Sequence, residues 1–116
     1  MTDKPRILVI DDDAMTLLLV LEMLGGNGFE IIEAESGPQG LELFASTAPN
    51  LVLLDVMMPG MDGFECLRLL CREQPSPIPI VMLTAVEDIH CVEQAYQLGA
   101  TDFISKPIDW LLLRNT

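Results

Sequence analysis

The chain has 116 residues, half of them hydrophobic, and a mean hydropathy of +0.38. That is the material of one domain, burying roughly 65% of its unfolded surface without staples, and it excludes a disordered tail. Six basic residues against 18 acidic ones leave a net charge of −12, so direct binding to nucleic acid or an anionic membrane is not expected, whereas basic partner surfaces and cations suit it.

Three cysteines, Cys66, Cys71 and Cys91, form no CxxC pair. Their odd number argues against a disulfide framework and for thiols of a reducing compartment. The N-terminus lacks the long apolar run of a signal peptide. The most apolar stretch, residues 14–24, contains Glu22 and is too short to span a bilayer. The expectation is a soluble, cytoplasmic domain.

In chain order, short β-rich runs at residues 7–10, 30–34, 51–54, 78–83 and 102–104 alternate with segments of helical period. Residues 7–10, 51–54 and 80–83 are continuously apolar, as expected of parallel strands covered on both faces. A helix over residues 14–24 stops at Gly25-Gly26-Asn27-Gly28, and Met15 and Met23 are assigned to its core face. Ser36-Gly37-Pro38-Gln39 reads as a capping box opening a second helix that ends before Pro49. A third starts at Asp62-Gly63-Phe64-Glu65 and runs out before Pro75. A fourth has Glu87 and Asp88 in its first turn and is closed by Gly99. A fifth begins near Asp109 and is cut off at Thr116 after barely two turns.

Five βα units in succession imply a parallel sheet with right-handed crossovers and helices on both faces. Ligands of such sheets bind beyond the carboxyl ends of the strands. Asp11-Asp12-Asp13 follows strand one, Asp55 ends strand three, Thr84 ends strand four and Lys106 follows strand five, so all four groups fall on that edge. Two carboxylates about 5 Å apart repel by roughly 3 kcal/mol at an effective dielectric of 20. Acids gathered there call for a divalent cation, and oxygen-only ligands favour Mg2+ over Zn2+. A carboxylate beside such an ion can attack a phosphoryl group and form an aspartyl phosphate, with the ion, a Lys ammonium and a Thr hydroxyl stabilising the transferred oxygens.

Each residue also has a plainer reading. Asp11 and Asp12 could cap the first helix, and for Asp13 that reading is preferred. Thr84 could cap the fourth helix and Lys106 could be a surface charge. None of these explains why all sit on one edge. The remaining polar and aromatic residues point elsewhere. His90 reads as an exposed residue of the fourth helix, Trp110 as a packing residue, and Cys66 and Cys71 are too far round their helix for a metal pair.

The segments Ile7-Leu8-Val9-Ile10-Asp11-Asp12, Asp55-Val56-Met57-Met58-Pro59-Gly60-Met61-Asp62-Gly63, Thr84-Ala85 and Lys106-Pro107 together resemble the receiver domain of two-component response regulators. The resemblance covers residues 6–114 and implies a CheY-like, flavodoxin-like doubly wound (βα)5 fold of strand order 2-1-3-4-5, here with a truncated fifth helix. It implies that Asp55 accepts a phosphoryl group from the phosphohistidine of a sensor histidine kinase or phosphotransfer protein. Asp11, Asp12, Asp55 and the backbone carbonyl of Met57 would hold Mg2+. Lys106, followed by a cis Pro107, and Thr84 would hold the phosphoryl group, and Phe103 occupies the aromatic switch position. Phosphorylation would change the face formed by helix four, strand five and helix five, which controls a downstream output domain or effector and can also pair two copies. Met57 and Val86, the variable positions beside the site, are apolar and cannot orient a hydrolytic water, so the phosphoryl state is expected to decay slowly. Residues 1–116 are read as a single receiver domain forming the N-terminal part of a longer protein.

Three other classes fit the residues less well. A phosphorylation-independent adaptor shares the fold but leaves the acids, Thr84 and Lys106 without a purpose. A Mg2+-dependent aspartyl-phosphate phosphatase needs Asp-x-Asp-x-Thr after strand one, yet position 15 is Met15 and Thr16 comes one residue late. A flavin-phosphate module needs a first loop of Ser, Thr and Gly amides, where three aspartates would repel the ligand.

Overall fold

Continuous apolar runs suit the central segments to strands covered on both faces. In the computed structural model, whose described residues are 4–55, 63–72, 78–84 and 89–105, the strands form one five-stranded sheet. The chain runs β1 (Arg6–Ile10), α1 (Ala14–Gly25), β2 (Glu30–Ala34), α2 (Gly37–Thr47), β3 (Leu51–Asp55), α3 (Gly63–Arg72), β4 (Ile80–Thr84), α4 (Ile89–Leu98) and β5 (Asp102–Ser105). All pairings are parallel, and the strand order is β2-β1-β3-β4-β5. The alternating pattern and the order both match the sequence expectation. The expected fifth helix lies outside the described residues.

Because successive strand residues point to opposite faces, the central strands feed two cores. Leu8, Ile10, Val52, Leu54, Ile80 and Met82 join Phe44 of α2 and Cys66, Leu67 and Leu70 of α3. Ile7, Val9, Leu53, Val81 and Leu83 join Leu17, Val20 and Leu24 of α1 on the other face. The continuous apolar runs of β1, β3 and β4 are therefore needed on both sides, and these strand residues are almost entirely buried.

Local signals set the helix ends. Asp13 caps α1, accepting from the Met15 amide at 3.1 Å and from the Thr16 hydroxyl at 2.9 Å. This fixes the roll of the helix so that Thr16, Leu17, Val20 and Leu24 face the sheet. Met15, expected in the core, instead lies 63% exposed, because it stands across the helix from that quartet. At α2, Ser36 Oγ accepts from the Gln39 amide at 3.3 Å, while Gln39 Oε1 accepts from the Glu35 amide at 2.8 Å, one residue upstream of the partner a capping box uses. β4 starts at Ile80 rather than at residue 78, since Pro79 has no N–H to give a ladder.

Arg6 closes the far end of the sheet. Its amide donates to Asn50 Oδ1 at 2.8 Å, its Nη1 to the carbonyl of Thr47 at 2.8 Å and its Nε to Glu30 Oε2 at 3.2 Å. A cation on the last carbonyl of α2 also suits that helix terminus. Just beyond, Ala48 adopts the left-handed conformation at φ 47°, a geometry that favours glycine after a helix. Ala48→Gly is expected to stabilise the chain by about 0.5–1 kcal/mol, read as a higher urea midpoint at unchanged slope. A lower midpoint would mean that contacts of the Ala48 methyl outweigh the strain.

Cys66 is fully buried, and desolvation pushes its thiol up to about 12. It is a neutral core residue and no nucleophile. Burial also raises the half-buried Cys71 thiol.

Candidate functional site

Three strands end at one edge, and their registers decide what meets there. Ile10 pairs with Leu54, Asp55 with Leu83, and Thr84 with Ser105. Asp11, the residue after β1, therefore lies beside Asp55, the last residue of β3. The Asp11 amide prolongs the ladder by donating to the carbonyl of Ala34 at 3.0 Å. Its Oδ1 accepts from the Asp13 amide at 2.9 Å, which turns the chain out of the sheet and into α1. The three acids after β1 thus divide their work. Asp11 shapes the turn, Asp13 caps the helix, and Asp12 is exposed.

Asp11 is fully buried and Asp55 is 4% exposed. Asp11, Asp12 and Asp55 each offer a carboxylate oxygen, and these oxygens lie within 4.8 Å of one another. At that separation each pair of charges repels by about 3 kcal/mol at an effective dielectric of 20, so gathering them is favourable only with positive charge between them. The donors are all oxygen and two of the three are buried, which fits a hard divalent cation of the Mg2+ type and gives no soft ligand for zinc or copper. The N-terminus of α1 adds the positive end of a helix dipole beside Asp12 and Asp13.

The fold brings together Asp11, Asp12 and Asp55 and puts the Thr84 backbone at the end of the neighbouring strand. The Thr84 and Phe103 side chains, the Met57 carbonyl, Val86, Lys106 and Pro107 lie outside the described residues and atoms.

One supporting residue escaped the sequence reading. Gly40 of α2 sits where a Cβ would lie 2.4 Å from Cδ1 and 2.7 Å from Cγ1 of Ile10, the residue immediately before Asp11. Its signal is a glycine inside a helical pattern, which marks close approach of another element.

The comparisons with known proteins agree with this geometry. The response regulator receiver domain family matches residues 7–116. Among curated relatives, the response regulator PleD of Caulobacter vibrioides is 41% identical over 110 residues, 93% of this chain and 24% of its own length. The DNA-binding response regulator MtrA of Mycobacterium tuberculosis is 42% identical over 106 residues, 91% of this chain and 46% of its own length. The chain thus spans between a quarter and a half of these relatives.

Among solved structures, the Vibrio cholerae chemotaxis protein CheY4 superposes with a TM-score of 0.90 at 26% identity, covering 97% of this chain and 95% of that one. The receiver domain of NtrX from Brucella abortus gives a TM-score of 0.85 at 32% identity, with 94% of each chain covered. A matched family over nearly the whole length, the observed strand order and the acidic group at the strand ends lead to one assignment: the chain belongs to the response regulator receiver domains of two-component signalling.

Proposed function

We propose that this chain is a phosphoacceptor switch in which Asp55 takes a phosphoryl group from the phosphohistidine of a sensor histidine kinase or phosphotransfer protein. The observation that carries the reading is the convergence of Asp11, Asp12 and Asp55 within 4.8 Å, with Asp55 almost buried at the end of β3. A carboxylate oxygen of Asp55 attacks phosphorus and forms the acyl phosphate. The P–N bond to the donor histidine breaks, and its electron pair leaves with the imidazole nitrogen, which takes up a proton.

Asp11, Asp12, Asp55 and the Met57 carbonyl would hold Mg2+. When bound, the ion neutralises charge developing on the phosphoryl oxygens. Lys106 and Thr84 are the residues proposed to grip the transferred group, and Phe103 to follow Thr84 by packing. Phosphorylation adds about −1.5 to −2 charges and new acceptor oxygens at a buried point. The face of α4, β5 and the segment after it then changes affinity for an output domain or effector. The apolar Met57 and Val86 orient no water, so the acyl phosphate decays slowly. Residues 1–116 act as one receiver module that makes no direct contact with nucleic acid, and no described helix is long and apolar enough to cross a membrane.

Intact mass after incubation with acetyl phosphate tests the reading. The expected result is one phosphoryl adduct that requires both Mg2+ and Asp55 and is absent in Asp55→Ala. An adduct that persists in Asp55→Ala would move the nucleophile to Asp11. No adduct in a chain that still binds Mg2+ would leave a phosphorylation-independent adaptor.

A further inference from the structure

The turn between α1 and β2 reads Gly25-Gly26-Asn27-Gly28, and nothing in the phosphoacceptor reading uses it. Of the chain's three asparagines, only Asn27 is followed by glycine; Asn50 precedes Leu51 and Asn115 precedes Thr116. Asn27 and Gly28 are both exposed. Gly28 has φ 92°, and a Cβ added there would meet no atom within 4 Å. No hydrogen bond to a described residue engages the Gly28 amide, whereas the Asn27 amide donates to the carbonyl of Leu24 at 3.0 Å. A backbone nitrogen that is unscreened and unbonded, in a residue without a side chain, is poised to react with the carboxamide before it.

From these observations we propose that Asn27-Gly28 is a site of spontaneous deamidation, which converts Asn27 to isoaspartate and aspartate and loosens the junction of α1 with β2. The Gly28 amide loses its proton to hydroxide, and its nitrogen attacks Cγ of Asn27 to form a five-membered succinimide. The bond from Cγ to Nδ2 breaks, and that nitrogen leaves as ammonia with a proton taken from water. Water then opens the ring. Attack at Cγ returns an ordinary aspartate. Attack at the Asn27 main-chain carbonyl leaves an isoaspartate, whose backbone is one methylene longer.

The consequences follow from what Asn27 does before it reacts. Its Nδ2 donates to the carbonyl of Met23, one of the last four carbonyls of α1, which lack partners within the helix. A carboxylate can only accept, so the product loses this bond and sets a negative charge at the negative end of the helix dipole. It does so in a chain already at −12. In isoaspartate the added methylene also falls three residues before Glu30, whose amide donates to the carbonyl of Pro5 at 2.9 Å as β2 joins β1.

The Met23 hydrogen bond restrains the carboxamide in the folded chain. Being local and exposed, it slows ring closure by about tenfold at most. Asn50 is held more firmly, because its Oδ1 accepts from the Arg6 amide at 2.8 Å and the next residue, Leu51, is paired in β3. None of this depends on phosphoryl transfer, so the test is independent of the proposed function.

The experiment is peptide mapping by mass spectrometry after incubation at mildly alkaline pH. It compares the folded wild-type chain, the same chain unfolded in urea, and Asn27→Gln, with electron-based fragmentation to separate isoaspartate from aspartate. The proposal expects Asn27 of the folded chain to gain one mass unit, mostly as isoaspartate, within about tenfold of the unfolded rate. Asn50 should keep its amide, and Asn27→Gln, which must close a larger ring, should stay unchanged at that position. The separated product and Asn27→Asp should both unfold at lower urea than wild type. A folded chain that keeps its Asn27 amide on the timescale at which the unfolded chain loses it would overturn the proposal, as would equal loss at Asn50. A product and an Asn27→Asp as stable as wild type would overturn the loosening of the junction.

Discussion

Asp55→Asn is expected to raise the unfolding free energy of the metal-free chain by about 1–3 kcal/mol while abolishing phosphoryl uptake. The side chain is 4% exposed and its carboxylate lies within 4.8 Å of those of Asp11 and Asp12. Removing one charge relieves repulsion with both neighbours, and an amide keeps the volume and one acceptor oxygen. Few substitutions of a buried polar residue stabilise, so the sign itself is informative.

Mg2+ should stabilise the two proteins unequally. An ion that binds only the folded wild type stabilises it by about 2.7 kcal/mol when present at 100 times its dissociation constant, and the variant, one carboxylate short, should gain much less. Urea denaturation with and without Mg2+ reads both effects. A destabilised Asp55→Asn with an unchanged response to Mg2+ would show that Asp55 is a structural hydrogen-bonding residue and that the three acids do not share a cation.

The second large effect belongs to a residue with no side chain. Gly40→Ala places a methyl group 2.4 Å from Cδ1 and 2.7 Å from Cγ1 of Ile10, contacts that buried side chains do not make. Ile10 is fully buried in the core beneath α2, so α2 must lift or Ile10 must leave its rotamer. Overpacking of this kind costs about 1–3 kcal/mol. Because Ile10 precedes Asp11, a shift there should also weaken Mg2+ binding. Pairing Gly40→Ala with Ile10→Ala, which vacates the contested space, should cost less than the sum of the two single changes. Additive losses in that double-mutant cycle would show that the penalty arises in α2 alone.

Much of this is legible in the sequence. The continuous apolar runs of β1, β3 and β4 announced strands buried on both faces. The positions of Asp11, Asp12, Asp55 and Thr84 relative to those runs put them at one edge, because a parallel sheet sends every strand's carboxyl end the same way. Asp13 and Ser36 were readable as caps because capping depends on a side chain and the next few amides, a local affair. Strand order was a different matter, since nothing local distinguishes 2-1-3-4-5 from another arrangement of five similar strands. It came from likeness to a family and was then observed.

Whatever depends on only a few adjacent residues, then, was written in the sequence: the alternation of elements, the caps, and the chemistry available at the strand ends. Tertiary packing alone decided the rest. The roll of α1 is one case. With leucines on every side its apolar pattern is degenerate, and the cap at Asp13 together with the sheet surface chose Thr16, Leu17, Val20 and Leu24 for the core and turned Met15 outward. The role of Gly40 is another, because a missing side chain acquires meaning only when Ile10, thirty residues away in sequence, comes to occupy its space. The closeness of Asp11, Asp12 and Asp55 is the third. Sequence placed them on one edge, but the distance between carboxylates is set by the pairing of Ile10 with Leu54, a long-range register that only the assembled sheet determines.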